Sequence, residues 1–229
     1  MLLLAFSKET IAQFSVDSNA SSNAITAYYR SLGDQSPIYN GSEYIESDIV
    51  LQEGHVYFQT NIFEKGSIFF DGMLFQDVFL LYDIVKDQVI LQHYSKISKI
   101  NLPPEKIEYF TLNEHRFVHL AADPSGLIRD GFYESLYSGK TMLFAKRTKK
   151  IRVEQSNYQI NNLISQHSER YVKKDGVYYQ IKNLHAFLNI FKTNKKEIQQ
   201  YLNKNKIKYK TDPEAAMIQA LGYYDRATK

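Results

Sequence analysis

The chain has 229 residues, of which 44% are hydrophobic and 23% are charged, and its formal net charge is +3. Ten Gly and five Pro are too few for a collagen-like or low-complexity chain, so the composition indicates one large globular domain or two small ones. The absence of Cys excludes disulfides, thiol catalysis and cysteine zinc sites. The 18 Tyr and 14 Phe favour β-strands, whose half-buried surfaces accommodate large rings.

The N-terminus carries a short apolar run, residues 1–6, and an Ala-containing segment follows it. This pattern is typical of the end of a secretory signal peptide, although no basic segment precedes it and Lys8 and Glu9 lie where a cleavage region is normally uncharged. We expect residues 1–13 to be a signal-peptide remnant and residues 14–23 to be flexible; the alternative is an ordinary N-terminus with an apolar anchor. No later run reaches the roughly 18 apolar residues of a membrane-spanning helix.

The first predicted elements are a short helix over residues 24–32 and a strand over residues 43–51. A β-meander is expected over residues 56–94, because four apolar runs are separated there by turn signals at residues 64–66, 71–72 and 86–87. Its predicted strands are residues 56–63, 67–70, 74–85 and 88–93.

The strand over residues 74–85 is apolar on both of its faces, so we expect it to be covered on both sides. The C-terminal helices are the natural cover for one face.

Shorter strands and then helices follow. The strands are predicted over residues 97–102, 107–112, 117–121, 131–137, 141–146, 151–154, 170–173 and 177–181, and residues 155–168 give no clear prediction. The helices are predicted over residues 184–191, over residues 195–203, and from Pro213 onward with Asp212 as the N-cap.

Strands first and helices last predict an α+β fold. We expect an antiparallel β-meander over residues 24–183, forming a curved sheet or a partial barrel, with a short N-terminal helix. The basic helical segment, residues 184–229, packs on this sheet within the same domain.

Candidate catalytic and metal-binding residues are few. His115 and His119 are four residues apart on a predicted strand, which separates them by roughly 13 Å and disfavours a shared metal ion. Four carboxylates recur in the meander and could do acid–base work, but the turns favour Asp at some of these positions for backbone reasons. They are Asp71, Asp77, Asp83 and Asp87. We therefore predict no catalytic residue, no metal and no cofactor.

Charge divides the chain into two halves. Residues 1–138 hold 9 Lys and Arg against 18 Asp and Glu, a net of −9, and residues 139–229 hold 19 against 7, a net of +12. The basic half could bind an anionic surface, or it could be a solvated face or the counterpart of the acidic half. The candidate anion-binding residues are Lys146, Arg147, Lys149, Lys150, Arg152, Lys195 and Lys196, with the lysines of residues 204–210 beside them.

Six short sequence segments, taken in order, resemble segments of an uncharacterised family of exported, signal-peptide-bearing proteins of Bacteroidetes-type bacteria. They are IYNGSEY (38–44), GSIFFDG (66–72), VFLLYDIVKDQVIL (78–91), GFYESLYSGKTMLFAKRTKKI (131–151), DGVYYQIKN (175–183) and a Lys-rich helix ending in GYYD (222–225). The resemblance spans residues 25–225. It implies export, to the periplasm or to association with the outer membrane, and it supplies no activity and no catalytic residues.

Three functions remain open. The first is a non-catalytic exported cell-envelope protein with a binding or scaffold role, whose ligand is unknown and for which an envelope protein is one candidate partner. The second is an envelope hydrolase acting on glycan or lipid, which requires a cleft where two carboxylates, or a His and a carboxylate, converge. The third is binding of anionic lipid or polysaccharide through the basic half. Nucleic acid is a poor candidate for an exported chain without a recognisable module.

Overall fold

The structure is a computed structural model that describes residues 27–28, 31–156 and 159–228. The segments predicted to be a signal remnant and a flexible N-terminus, residues 1–13 and 14–23, and most of the helix predicted over residues 24–32 lie outside the described residues. The described part is an α+β fold dominated by one antiparallel sheet of 11 strands, as predicted. The strands are β1 (Ser42–Glu43), β2 (Glu64–Phe70), β3 (Met73–Asp83), β4 (Gln88–Gln92), β5 (Lys99–Asn101), β6 (Ile107–Leu112), β7 (His115–Leu120), β8 (Gly131–Ser138), β9 (Met142–Ser156), β10 (Gln159–Lys174) and β11 (Val177–Ile181).

Three α-helices follow the sheet: α1 (Leu184–Asn189), α2 (Lys195–Lys204) and α3 (Pro213–Ala227). Asp212 caps α3 as predicted, since its side chain accepts a hydrogen bond from the backbone N–H of Ala215 at 2.9 Å. Four short 3₁₀ helices complete the described structure: Gly33–Gln35, Pro37–Tyr39, Pro104–Lys106 and Lys192–Asn194.

The sheet is strongly curled but not closed. Its strand order is β1-β5-β4-β3-β2-β6-β7-β8-β9-β10-β11, so β1 and β11 are edges. Only residues 102–106 connect β5 to β6, across β4, β3 and β2. In a flat sheet the end of β5 and the start of β6 would lie about 19 Å apart across the strands and about 26 Å apart along the strand direction. The six extended peptide units between them reach only about 21 Å. The sheet must therefore curl to bring the two strands within reach.

The concave side of the curl is filled by aromatic side chains. Phe110 stacks on Phe117 with ring centroids 4.9 Å apart, and Tyr82 meets Phe117 edge-on at 4.9 Å. Phe132 packs edge-on against Phe110 at 5.3 Å, and all four rings are fully buried. This interior is a packed core rather than a ligand cavity.

The second half of β3 is covered on both sides, as its two-faced apolar pattern predicts. Leu80 and Tyr82 face the aromatic core, while Leu81 packs with Tyr44 and Tyr57 on the other face. The prediction that the C-terminal helices supply this cover is wrong. The cover comes from residues 44–57, which run over the sheet without regular structure.

The helices pack instead on the last strands. Leu143, Val172 and Ile181 of β9, β10 and β11 form one core with the apolar faces of α1, α2 and α3. Asp225 of α3 accepts hydrogen bonds from the Tyr137 hydroxyl and from the Thr141 hydroxyl, each at 3.0 Å. The end of α3 is thereby fixed to the β8–β9 hairpin.

Two predicted strands are largely missing from the described structure. Of residues 43–51 only Glu43 lies in a strand, as the second residue of β1, and residues 56–63 make a single bridge, from Tyr57 to Asp83. The predicted turn at residues 64–66 lies instead within β2. A Cβ at Gly66 would stand 2.0 Å from the carbonyl oxygen of Thr111, so this glycine permits close strand approach rather than a turn.

Residues 155–168, without a clear prediction, largely belong to the longest hairpin. β9 and β10 pair along their whole length, but β8 pairs only with residues 142–145 and β11 only with residues 170–174. The remainder forms a two-stranded ribbon that extends beyond the neighbouring strands. Residues 50–57 lie against it, and Gln52 exchanges backbone and side-chain hydrogen bonds with Asn162.

Candidate functional site

A pocket of about 240 Å³ lies where β3 continues beyond β4. β4 pairs only with the second half of β3, Leu80–Asp83, so residues 74–79 border the pocket along the strand. Six consecutive residues of one strand contribute to its wall because the pocket follows the strand edge rather than one face. The other walls come from residues 33–39, which form two 3₁₀ helices, and from the β4–β5 connection. The lining residues are Gly33, Ser36, Ile38, Tyr39, Leu74, Phe75, Gln76, Asp77, Val78, Phe79, Gln92, His93, Tyr94 and Lys96.

A β-bulge shapes the strand side of the pocket. Val78 pairs with Gly66 and Gln76 pairs with Ser67, so Asp77 is an extra residue, and its φ is 56°. A bulge bends its strand and redirects the side chains around it, and bulges are frequent beside binding sites. Asp tolerates the left-handed conformation better than most residues do, which explains its presence here.

An aromatic cluster forms the opposite wall. The Tyr39 ring meets the His93 ring edge-on at 5.4 Å and the Tyr94 ring edge-on at 6.4 Å. Burial raises the pKa of Tyr39, and the neighbouring Tyr94 adds to this effect, so the Tyr39 hydroxyl is neutral and can both donate and accept hydrogen bonds. Tyr94 is 61% exposed and Ile97 is 90% exposed, so apolar surface continues from the pocket to the loop.

Hydrogen-bonding side chains and one cation accompany these rings. The His93 Nδ1 accepts from the backbone N–H of Ser95 at 3.1 Å and pairs with the Ser95 hydroxyl at 2.8 Å. Because Nδ1 acts as an acceptor, the neutral ring carries its proton on Nε2 and offers a donor there. Gln76 and Gln92 add amide donors and acceptors, and Lys96 adds a cation. The site thus combines an aromatic surface with a few hydrogen-bonding side chains, as small-molecule sites do.

A second pocket, of about 310 Å³, lies near the β1 edge. Its cation is already engaged, since the Lys86 Nζ donates to the carbonyl oxygen of Ile45 at 2.8 Å and stands 4.8 Å above the Tyr44 ring. The Asn101 Oδ1 is buried there without a hydrogen-bond partner among the described residues. This pocket offers less aromatic surface than the first.

Three predicted anion-binding residues lie within the protein's own polar networks. The Lys146 Nζ contacts Asp87 Oδ2 at 2.5 Å and the Phe132 carbonyl oxygen at 2.9 Å. The Lys149 Nζ donates to the carbonyl oxygens of His55 and Tyr57 at 2.9 and 2.5 Å. Burial lowers the pKa of Lys149, and the charge of Asp83 opposes that shift.

Arg147, the third of these cations, bridges two acidic side chains. Its Nε donates to Glu134 Oε2 at 2.6 Å, and its two terminal nitrogens donate to the Glu214 carboxylate at 2.9 and 2.7 Å. Arg170 also donates to Glu214, at 2.8 Å. Bidentate pairing of this kind ties α3 to β8, β9 and β10.

The other four candidates lie nearer the solvent but in two separate places. Lys150 and Arg152 are exposed on the β9–β10 ribbon. Lys195 donates to Asn189 Oδ1 at 2.7 Å, and Lys196 is exposed on α2. Anion binding by this set stays a prediction.

A histidine and a carboxylate converge elsewhere in the sheet. The His115 Nδ1 contacts Glu134 Oε1, and its Nε2 contacts Gln59 Nε2 at 2.8 Å. Both ring nitrogens are therefore engaged, and Glu134 is further paired with Arg147. His115 and Glu134 line neither of the two pockets described above. A structural network explains this arrangement better than an acid–base pair does.

The remaining titratable candidates also lie in local networks. Asp83 accepts from the Tyr44 hydroxyl at 2.7 Å and from two backbone N–H groups, and it is fully buried. His119 lies 3.4 Å from Asp130, well apart from the His115–Glu134 pair. Within the described ranges, no three His, Asp or Glu side chains are grouped to hold a metal ion. The described helices include none long and apolar enough to cross a membrane.

Reasoning from the sequence missed the pocket. Its walls come from three segments, residues 33–39, 74–79 and 92–96, that are separated by many residues along the chain. The signals that could have indicated it are the Tyr-rich composition and the Asp within an otherwise apolar strand. Neither signal specifies which rings meet. No protein-family model, no curated protein and no solved structure matches the chain.

Proposed function

We propose that this chain is a non-catalytic binding protein whose pocket beside β3 takes a small, uncharged ligand of the sugar-ring type. The observation that carries this proposal is the combination of Tyr39, His93 and Tyr94 rings with neutral amide and hydroxyl groups in one concave site. A sugar ring presents C–H groups on its faces and hydroxyls around its rim. Aromatic side chains suit the faces, and amides and hydroxyls suit the rim.

The size of the pocket supports a small ligand. Sites for drug-sized molecules measure roughly 300–1,000 Å³, so about 240 Å³ accommodates a single ring or the terminal unit of a chain. The exposed Tyr94 and Ile97 at the loop would then contact the neighbouring unit of a longer glycan.

A second part of the proposal is that the protein is exported to the cell envelope. It rests on the signal-like residues 1–13 and on the family resemblance. Cell fractionation of the full-length gene product tests it. We expect a processed protein outside the cytoplasm, and an uncleaved cytoplasmic protein would contradict this part alone.

The binding proposal is tested by isothermal titration calorimetry with a panel of neutral hexoses and N-acetylhexosamines. At least one sugar should bind, and Tyr94→Ala should weaken that sugar about tenfold, since an exposed stacking surface is lost without disturbing the core. Tyr179→Ala, on β11, removes an exposed tyrosine that does not line the pocket and is the control. Absence of binding by every sugar, or equal losses in the two variants, would contradict the proposal.

A further inference from the structure

The segment from Gly176 to Thr211 is almost free of acidic residues. It holds eight lysines and one carboxylate, Glu197, a net of +7. Glu197 accepts a hydrogen bond from the Asn194 side chain at 3.1 Å. This excess is therefore a property of α1, α2 and their connections, distinct from the β9 cations that the fold uses internally.

The lysines of this segment lie at the surface. Seven of the eight are exposed, and none of the seven makes an ion pair with a carboxylate of the described part of the chain. They are Lys182, Lys192, Lys196, Lys204, Lys206, Lys208 and Lys210. Their charge is consequently not compensated locally.

The helix α2 orders part of this charge into one stripe. Ile198 and Leu202 are buried against the core, so the opposite face of the helix is directed to solvent. That face carries Lys196, Gln200, Asn203 and Lys204, at positions i, i+4, i+7 and i+8, all of them exposed. The loop that follows α2 continues the stripe with three further lysines.

We propose that the lysine surface, meaning this α2 stripe together with residues 205–210, is a peripheral docking site for a bilayer containing anionic phospholipid. Lysines act as point charges that suit a diffuse anionic surface, whereas specific phosphate recognition favours the fork of Arg. Neither of the two pockets described above is lined by a residue of this surface. Clusters of surface lysines are attracted to the negative charge of anionic lipids.

The tyrosines of this region argue against nucleic acid as the occupant. Tyr201 stacks on Tyr223 with ring centroids 4.4 Å apart, and Tyr209 packs partly buried against the helical core. These rings are occupied within the protein and do not form a platform for stacking bases. Docking would thus be electrostatic and reversible by salt.

Vesicle co-sedimentation of the full-length protein tests the proposal. Phosphatidylcholine vesicles that contain phosphatidylglycerol should bind the protein at about 0.05 M salt and release it at about 0.5 M salt, and pure phosphatidylcholine vesicles should not bind it. The double variant Lys196→Gln/Lys204→Gln should lower the partition coefficient about 25-fold, at about fivefold per lysine. Both residues are exposed, so the thermal midpoint should stay unchanged.

Two matched double variants locate the surface. Lys65→Gln/Lys106→Gln removes the same charge from the acidic half and should change partitioning less than about twofold. Lys150→Gln/Arg152→Gln removes two positive charges from the β9–β10 ribbon and should change partitioning by an equally small factor. Equal losses in all three variants, binding to uncharged vesicles, or tighter binding of a single-stranded oligonucleotide at the same salt would overturn the proposal.

Discussion

Glu214 connects α3 to the sheet through two arginines. Its carboxylate accepts hydrogen bonds from Arg147 and Arg170, and Arg147 also pairs with the buried Glu134. Burial by itself would raise the pKa of Glu214, but the hydrogen bonds and charges of the two arginines outweigh it and lower that pKa. The ionised form therefore stabilises the folded state.

Glu214→Gln should lower the free energy of unfolding by about 2 kcal/mol at neutral pH, because two charge-assisted hydrogen-bonding arrangements weaken. The folded pKa lies below the unfolded value of about 4.3, so this contribution is complete above that pH and is lost as the pH falls through the folded pKa. Urea unfolding at several pH values should show the gap between wild type and variant closing below about pH 4.

The comparison variant is Lys106→Gln, which breaks an exposed pair with Asp71 and should cost less than about 1 kcal/mol. A gap between wild type and Glu214→Gln that stays constant down to pH 3 would contradict the assigned role of the carboxylate.

Individual side-chain roles were the least predictable part of the protein. The basic run of β9 reads as a surface patch, yet Lys146 and Arg147 meet acceptors 59 and 67 residues away in sequence. Such partners depend on the strand order of the whole sheet, which no local pattern specifies. The pocket was unpredictable for the same reason.

At the level of elements, local chemistry predicted the turns well. The turn predicted at Asp71-Gly72 is present, with positive φ at both residues, because Asp and Gly accept this conformation readily. An Asp-Gly turn with the same positive φ values joins β10 to β11 at Asp175-Gly176. The turn expected at residues 64–66 was wrong, since Gly66 is required by contact with Thr111 of a strand that comes much later in the chain. A glycine can either form a turn or permit close approach of two strands, and only the tertiary structure distinguishes the two roles.

Two Gly→Ala substitutions should therefore have opposite effects. Gly66→Ala should destabilise the protein by more than about 3 kcal/mol, because the new methyl group would collide with the backbone of β6 and force β2 and β6 apart. Gly222→Ala lies within α3, where the nearest atoms are 3.6 Å from the new Cβ, and should stabilise by up to about 1 kcal/mol.

Thermal or urea unfolding of both variants checks the pair. A neutral Gly66→Ala would show that β2 and β6 are not packed as closely as described. A strongly destabilising Gly222→Ala would show that the contacts of α3 around this position are not those described.

At the scale of the whole molecule, the α+β class and the antiparallel sheet followed from the order and periodicity of the apolar runs. A curved sheet or a partial barrel was expected as well, and the sheet is curled but not closed. How far it curls could not be predicted, because that depends on the five-residue connection between β5 and β6 reaching past β4, β3 and β2. The position of the helices also depends on pairing between distant segments. They cover β8 to β11 rather than β3, and this leaves the edge of β3 beside the pocket.

The claim that this pocket binds a sugar-type ligand is tested most directly by amide chemical-shift mapping of the isotopically labelled protein during titration with the same neutral hexoses and N-acetylhexosamines. We predict saturable shifts confined to residues 33–39, 74–79 and 92–96 with at least one of these sugars. An absence of shifts with every sugar, or shifts centred on another surface such as α2 or β11, would contradict the account.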